Sequence, residues 1–226
     1  MRSLIAAAAF FLLIHFGVAG TKLRDAIVAR IGMRPYRAVF SILSLGGIIW
    51  LVAAYSRAAL VPLWIAPPWT KYVALVLVFA AFPLVVIGLL TPNPTTANFE
   101  PLLKRDNVVQ GMIRITRHPF LWGVALWALA HLIVNGDAAS LILFGSFLLL
   151  ALAGTASIDA KRKRAFGDQW DRFAAATSNV PFAAIGSGRN RLVIGEIGPW
   201  RIAVAVVLFA VVLYFHTPWF GASPLP

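Results

Sequence analysis

The chain has 226 residues, 60% of them hydrophobic and 12% charged, with 20 Lys and Arg against 8 Asp and Glu for a formal charge of +12. That composition leaves no room for a second, water-soluble domain of ordinary size. The absence of cysteine excludes disulfides, thiolate metal ligands and cysteine nucleophiles.

Six nearly uncharged stretches follow one another at residues 4–19, 39–55, 72–90, 120–134, 138–156 and 202–215. Crossing the hydrocarbon of a bilayer takes about 20 helical residues. The first stretch reaches that length by extending to Arg2 and Lys22. The fourth is short and is expected to continue back into the amphipathic turn at 113–117. Lys and Arg alternate between the gaps: one before the first stretch, then five, two, four, none, eight, and none after the last. Seventeen therefore fall on one side and three on the other. The positive-inside rule reads this as an all-α, polytopic bundle of six transmembrane helices with both termini outside the cytoplasm. It also uses up the charge. The basic residues lie in loops against an anionic inner leaflet, where each gains about 1 kcal/mol, so no basic face remains for nucleic acid.

At the N-terminus, Arg2, the apolar run and Val18-Ala19-Gly20 have the ingredients of a cleavable signal. Lys22 and Arg24 follow at once, however, as in a retained span whose far end is cytoplasmic. Pro35 then falls in the first turn of the second span. Pro67-Pro68 breaks the next loop, Pro83 lies inside the third span, and Thr91-Pro92-Asn93-Pro94-Thr95 ends it. Arg117-His118-Pro119 opens the fourth span, and Asn135-Gly136-Asp137 is a tight turn between the fourth and fifth. The Lys161-Arg162-Lys163-Arg164 run reads as a stop signal and lipid-facing patch. Residues 159–199 form the one long cytoplasmic segment of a single membrane domain covering 1–226. Within it Phe166, Trp170 and Phe173 recur at helical spacing, with charges opposite, as in an amphipathic helix lying at the interface.

Two of the four histidines, His15 and His131, lie well inside spans, where an ionisable side chain is costly and normally faces a partner. Each is about 18 Å from its helix start at the α-helical rise, and the two helices run in opposite directions. Both imidazoles therefore approach the midplane. Two readings follow: axial ligands on opposite faces of one macrocycle, or hydrogen bonding between helices. Gly123, Trp127 and His131 share a stripe, and the small residue equally leaves room for a porphyrin or lets two helices close up. His118, beside Arg114 and Arg117 at the cytoplasmic boundary, opens a helix where N–H donors and cations suit an anionic ligand. His216 sits at the outer boundary beside Trp219, a cheap position for a polar ring. No HExxH motif, carboxylate cluster or Gly-x-Ser-x-Gly elbow is present.

Leu23-Arg24 after His15, Arg34-Pro35-Tyr36-Arg37 with Phe40-Ser41, Arg117-His118-Pro119, the 126–132 run ending in His131-Leu132, and the His216 to Gly221 segment together resemble the NnrU family. Those are bacterial membrane proteins associated by name with nitrite and nitric oxide reduction, homologous to the 15-cis-zeta-carotene isomerases. The resemblance implies a multi-span protein of the bacterial inner membrane that binds haem b. Its axial ligands would be His15 and His131, and its substrate a hydrophobic polyene isomerised from cis to trans beside membrane lipid. Ala128 stands where the plant isomerases carry a cysteine, which excludes any exchange of thiolate for imidazole on the iron. Arg24, Arg114 and Arg117, all expected at the cytoplasmic side, are the candidates for haem propionates, and His118 for a catalytic group at the substrate site. A non-enzymatic haem sensor or electron carrier is the alternative use of the same pair. Arg117-His118-Pro119 with Phe166-Gly167-Asp168-Gln169-Trp170 and Val180-Pro181 is also similar to the isoprenylcysteine and phospholipid methyltransferases, which use S-adenosylmethionine. Their paired glutamates are missing here, and only Asp159 stands nearby.

Overall fold

A computed structural model describes residues 1–105 and 107–226. Among the described residues the chain is helical, with one isolated bridge between Pro62 and Asp137 in place of any sheet. Five helical stretches are long and apolar enough to cross a membrane: Arg2–Ala19, Met33–Ser56, Thr70–Leu90, Ala138–Phe166 and Pro199–Phe220. A further apolar helix, Pro119–Val134, has 16 residues. The chain divides into two compact units, one of Met1–Pro67 with His131–Leu150, the other of Pro68–Ala130 with Ala151–Pro226.

The first unit begins with α1 (Arg2–Leu13), which buries Leu4, Ala7, Ala8 and Phe11. That spacing is the stripe a helix turns toward a neighbour. The neighbour is α3 (Met33–Ser56), where Gly47 lets Phe10 and Phe11 approach so closely that an added Cβ would lie 3.3 Å from Phe10 and 3.4 Å from Phe11. Beyond Leu13 the helix widens into a π-helical segment, Ile14–Ala19. Thr21 then caps α2 (Lys22–Ile31), its Oγ1 accepting from the Leu23 N–H at 3.2 Å, and Gly32 at φ 86° ends it. The expected turn at 135–137 is held by the preceding loop. The Leu63 and Trp64 amides donate to the Gly136 carbonyl at 2.7 and 3.1 Å, and the Ala138 amide to Val61 at 2.9 Å.

In the second unit α4 (Thr70–Leu90) packs on α10 (Pro199–Phe220), with Phe79 and Phe82 meeting Phe209 edge-on at 5.2 and 5.5 Å. Helix α6 (Pro119–Val134) sits against α4 through Gly123 and Gly88. Gly123 thus serves helix approach, since a Cβ there would lie 2.9 Å from the Ala81 carbonyl oxygen. The expected continuation of α6 back through 113–117 does not occur. Met112–Ile115 (α5) is a separate single turn, and Thr116, extended at φ −155° and ψ 146°, breaks the helix before Pro119. Its hydroxyl is spent on the Asn179 carbonyl across the fold.

Helix α7 (Ala138–Phe166) runs to 29 residues, carrying Lys161 to Arg164 on its last turns. Gly167 at φ 46° then turns the chain into α8 (Asp168–Ala176). The aromatic face of α8 is covered by protein: Trp170 and Phe173 pack with Leu103 and Ile113. Leu103 belongs to the 3-10 turn Glu100–Lys104, while the short helix α9 (Ala183–Gly186) and the 3-10 turn Ile194–Glu196 complete the unit.

Candidate functional site

His15 stands at the start of the π-helical segment, where the ladder departs from α geometry. Such segments recur at functional positions because they re-aim side chains at the expense of regular hydrogen bonding. Its Nδ1 lies 2.7 Å from the Phe11 carbonyl oxygen. A carbonyl only accepts, so Nδ1 carries the proton and Nε2 is the basic nitrogen of the neutral ring. The rings of Phe11 and Phe40 flank the imidazole at 4.6 and 5.1 Å.

Phe11 also meets Phe147 at 5.4 Å. One turn away on the same face of α7, Phe144 stacks on His131 at 4.6 Å with 23° between the planes. Both membrane histidines therefore lie among aromatic side chains of the first unit, His15 beside Phe11, which also meets Phe147, and His131 on Phe144, three residues before Phe147 on α7. Arg24 reaches the same cluster from α2. Its guanidinium lies 5.8 Å from the centre of the Tyr36 ring, and Tyr36 stacks on Phe40 at 5.9 Å. It also pairs with Asp25 at 2.7 Å. Tyr36 is buried, and its hydroxyl has no hydrogen-bond partner.

Arg117 and His118 meet instead on a carboxylate of the second unit. Arg117 Nε donates to both oxygens of Asp159 at 3.0 and 3.1 Å, and its Nη2 to Oδ2 at 2.5 Å. His118 Nε2 lies 2.6 Å from Asp159 Oδ1. The His118 side chain is 1% exposed, and burial pushes its imidazole below its ordinary value despite the upward pull of Asp159. The ring is therefore neutral, with Nε2–H donating to the carboxylate. The surroundings leave nothing loose. Asn93 Nδ2 and Thr95 Oγ1 both donate to the Arg117 carbonyl at 2.9 Å, the Arg117 amide donates to Ser178 at 3.0 Å, and Thr116 Oγ1 donates to Asn179. Asn179 is held in turn by Trp122 and Thr155.

Arg114 has a separate partner. Its Nε and Nη2 grip Glu196 at 2.7 and 2.9 Å, and Nη1 donates to Asn190 at 2.8 Å. Those bonds hold the Glu196 carboxyl below its ordinary range, helped by the Gly111 amide. At the far end of the chain His216 is half-buried, its Nδ1 bonded to the Ala222 carbonyl at 2.8 Å.

The candidate residues thus fall into two groups. His15, His131 and Arg24 lie in the first unit, and Arg114, Arg117 and His118 in the second. Sequence reasoning did not single out Tyr36, Glu196 or the bridging role of Asp159. The last left a signal, being the sole acid of the 29-residue α7, placed one turn past its apolar run. No group of three or more His, Asp or Glu residues forms among the described residues. Two imidazoles, one of them held by a backbone carbonyl as axial ligands commonly are, suit an iron whose other ligands are a macrocycle's nitrogens.

A model of the NnrU protein family matches residues 3–224. The chain is 28% identical over 189 residues to the chloroplastic 15-cis-zeta-carotene isomerase of Zea mays, covering 80% of this chain and 50% of that protein. It is 33% identical over 82 residues to the Arabidopsis thaliana 15-cis-zeta-carotene isomerase, covering 36% of this chain and 22% of that one. The chain thus spans at most half the length of these curated relatives. No solved structure matches it.

Proposed function

Because the chain belongs to the NnrU family, we propose that it is a six-span protein of the bacterial inner membrane, with both termini outside the cytoplasm, that binds one haem b between His15 and His131 and isomerises a cis double bond of a hydrophobic conjugated polyene. The observation that carries this reading is the aromatic cluster of the first unit. It contains both membrane histidines, and in it the Phe11 carbonyl fixes the tautomer of His15. Bound iron would supply metal-assisted weakening of the polyene π bond without net redox change.

The protein's own residues supply the rest. Phe11, Phe40, Phe144 and Phe147 supply apolar aromatic surface around the two histidines, chemically suited to a polyene and a macrocycle alike. Arg24, whose guanidinium lies over the Tyr36 ring, is the arginine we assign to a propionate. Arg114 and Arg117 are engaged by Glu196 and Asp159, and we assign them with His118 to holding the cytoplasmic side of the second unit together. His118 is then a positioning residue for Asp159.

The optical spectrum of the detergent-solubilised protein tests this reading. A six-coordinate Soret band is expected, converted to five-coordinate haem in His15→Ala or His131→Ala, lost in the double variant, and unchanged in His216→Ala. Turnover of a cis-polyene then separates an isomerase from a haem sensor or electron carrier serving nitrite and nitric oxide reduction. Undiminished six-coordinate haem in both single variants overturns the ligand assignment. A wild type that shows no Soret band and binds S-adenosylmethionine overturns the haem reading altogether.

A further inference from the structure

A cavity of about 250 Å³ opens in the second unit between Thr91-Pro92, Arg105, residues 107–113 and the start of α10. It plays no part in the reading above, and its lining is unusual for a membrane protein. Arg105, Arg201 and Glu196 all face it. The Glu196 carboxylate is already engaged by Arg114 and by the Gly111 amide at 2.8 Å, so among the described lining residues Arg105 and Arg201 carry the surplus charge.

Two of the lining groups also lack partners. Thr91 Oγ1 and Arg201 Nε are shielded from water and make no hydrogen bond. A polar group buried without a partner costs about 1–3 kcal/mol, and more when charged, so native chains rarely keep two side by side. Arg201 is otherwise anchored, its Nη1 donating to the Ile197 carbonyl at 3.1 Å and its guanidinium lying 4.9 Å from the centre of the Trp200 ring. Those contacts hold the side chain at the cavity wall rather than letting it extend into water.

From this we propose that the cavity binds the phosphate group of an anionic phosphate ester, with Arg201 and Arg105 as the charged donors and Thr91 as a hydroxyl donor. The adjoining surface points to a lipid as the source of that phosphate. Helix α10 leaves the cavity at Arg201 and buries only Ala205 along its 22 residues, so Val204, Val207, Leu208 and Val211 present an open apolar track to acyl chains. Exposed Trp200 stands at the head of that track, where an indole suits the headgroup layer. A phosphodiester in the cavity with its chains along α10 satisfies both halves of the surface at once.

Native mass spectrometry of the delipidated full chain, titrated with phosphatidylglycerol, with phosphatidylcholine, and separately with glycerol 3-phosphate, tests the assignment. One phosphatidylglycerol should bind in preference to phosphatidylcholine. Arg201→Gln and Arg105→Gln should each weaken it about tenfold, as expected for loss of one charge-assisted contact, and Thr91→Val by a smaller factor. Arg172→Ala, an exposed basic residue away from the cavity, should leave binding unchanged. Thr91→Val is nearly isosteric, so it retains a readable result if an arginine variant fails to fold. Binding of glycerol 3-phosphate with no preference between the lipids would support the phosphate site and assign it a soluble ester. Equal binding of both lipids without glycerol 3-phosphate binding overturns the proposal, as does phosphatidylglycerol binding that survives both arginine substitutions. The haem spectrum is not involved in any of these readouts, so failure here leaves the haem reading untouched.

Discussion

Asp159→Asn is nearly isosteric, yet it removes the charge on which Arg117 and His118 of the second unit converge. The Arg117 side chain is 13% exposed and Asp159 19% exposed, so water screens their attraction only weakly. Removing one member of such a pair leaves a buried guanidinium without its counter-charge, which typically costs about 3–5 kcal/mol. Asparagine keeps one acceptor oxygen for Arg117 or His118 but not both, so about 3 kcal/mol is the expected loss. In a chain of this length that corresponds to a fall in thermal midpoint of about 6–12 °C. The assay is thermal unfolding in detergent of Asp159→Asn, Arg117→Met and the double variant. The two losses should not add, because the second substitution removes the charge that the first left stranded, and the coupling should exceed about 1 kcal/mol. An unshifted midpoint for Asp159→Asn, or strict additivity, would refute the claim that this carboxylate holds the unit together.

Burial holds the folded-state pKa of His118 below its ordinary 6.5, so as the pH falls below that value the unfolded chain takes up the proton first and stability declines. His118→Gln should flatten that slope in pH-dependent unfolding measurements, and an unchanged slope would contradict a buried neutral ring. Glu196 titrates lower when folded than when unfolded, so its contribution is present above the ordinary carboxylate range and is lost as pH falls through the folded value. Glu196→Gln should remove that acid-side loss along with some stability at neutral pH. Gly123→Val should destabilise by about 1–3 kcal/mol through overpacking, since even its Cβ would meet Val85 Cγ2 at 2.5 Å; a neutral effect on the unfolding midpoint would contradict the α4–α6 contact. A reporter fused after Pro226 should be active only if its activity requires export, and one inserted at Gly188 only if it works in the cytoplasm; the reverse pattern would overturn the six-span topology.

The helical class and the apolar runs were legible because hydropathy and charge alternation act over whole spans and do not depend on detail. The break at Thr116 was less visible. Residues 113–117 carry a helical pattern, and only the Thr116 backbone, tied by its hydroxyl to the Asn179 carbonyl, shows why the helix restarts at Pro119. The end of α7 was hidden for a related reason. Lys161 to Arg164 end an apolar run, but charge does not end a helix, and it took Gly167 at positive φ to do so. At the candidate site, composition marked His15 and His131 as improbable residues in a span. It could not reveal the π-helical segment, which is a property of backbone hydrogen bonding, or the aromatic contacts between residues of helices far apart in sequence. Arg114 and Arg117 were conspicuous as cations, while their acids are far away in sequence and appear only once the chain is folded.

Helix α6 has 16 residues, so at the α-helical rise it reaches about 24 Å, roughly 6 Å short of an ordinary hydrocarbon core. Arg117 and His118 precede it and Asn135 to Asp137 follow it, and none of those ends is easily drawn into oil. If α6 crosses the membrane as proposed, the bilayer rather than the helix would yield, thinning around this part of the protein at a modest cost for each ångström. His131 lies one turn before the helix ends. That dip would bring the outer water boundary close to His131, and short-chain lipids would suit the protein better than long ones. On the proposed six-span topology, acyl-chain length would be a lever on the histidine cluster, applied through membrane thickness without any contact between lipid and imidazole.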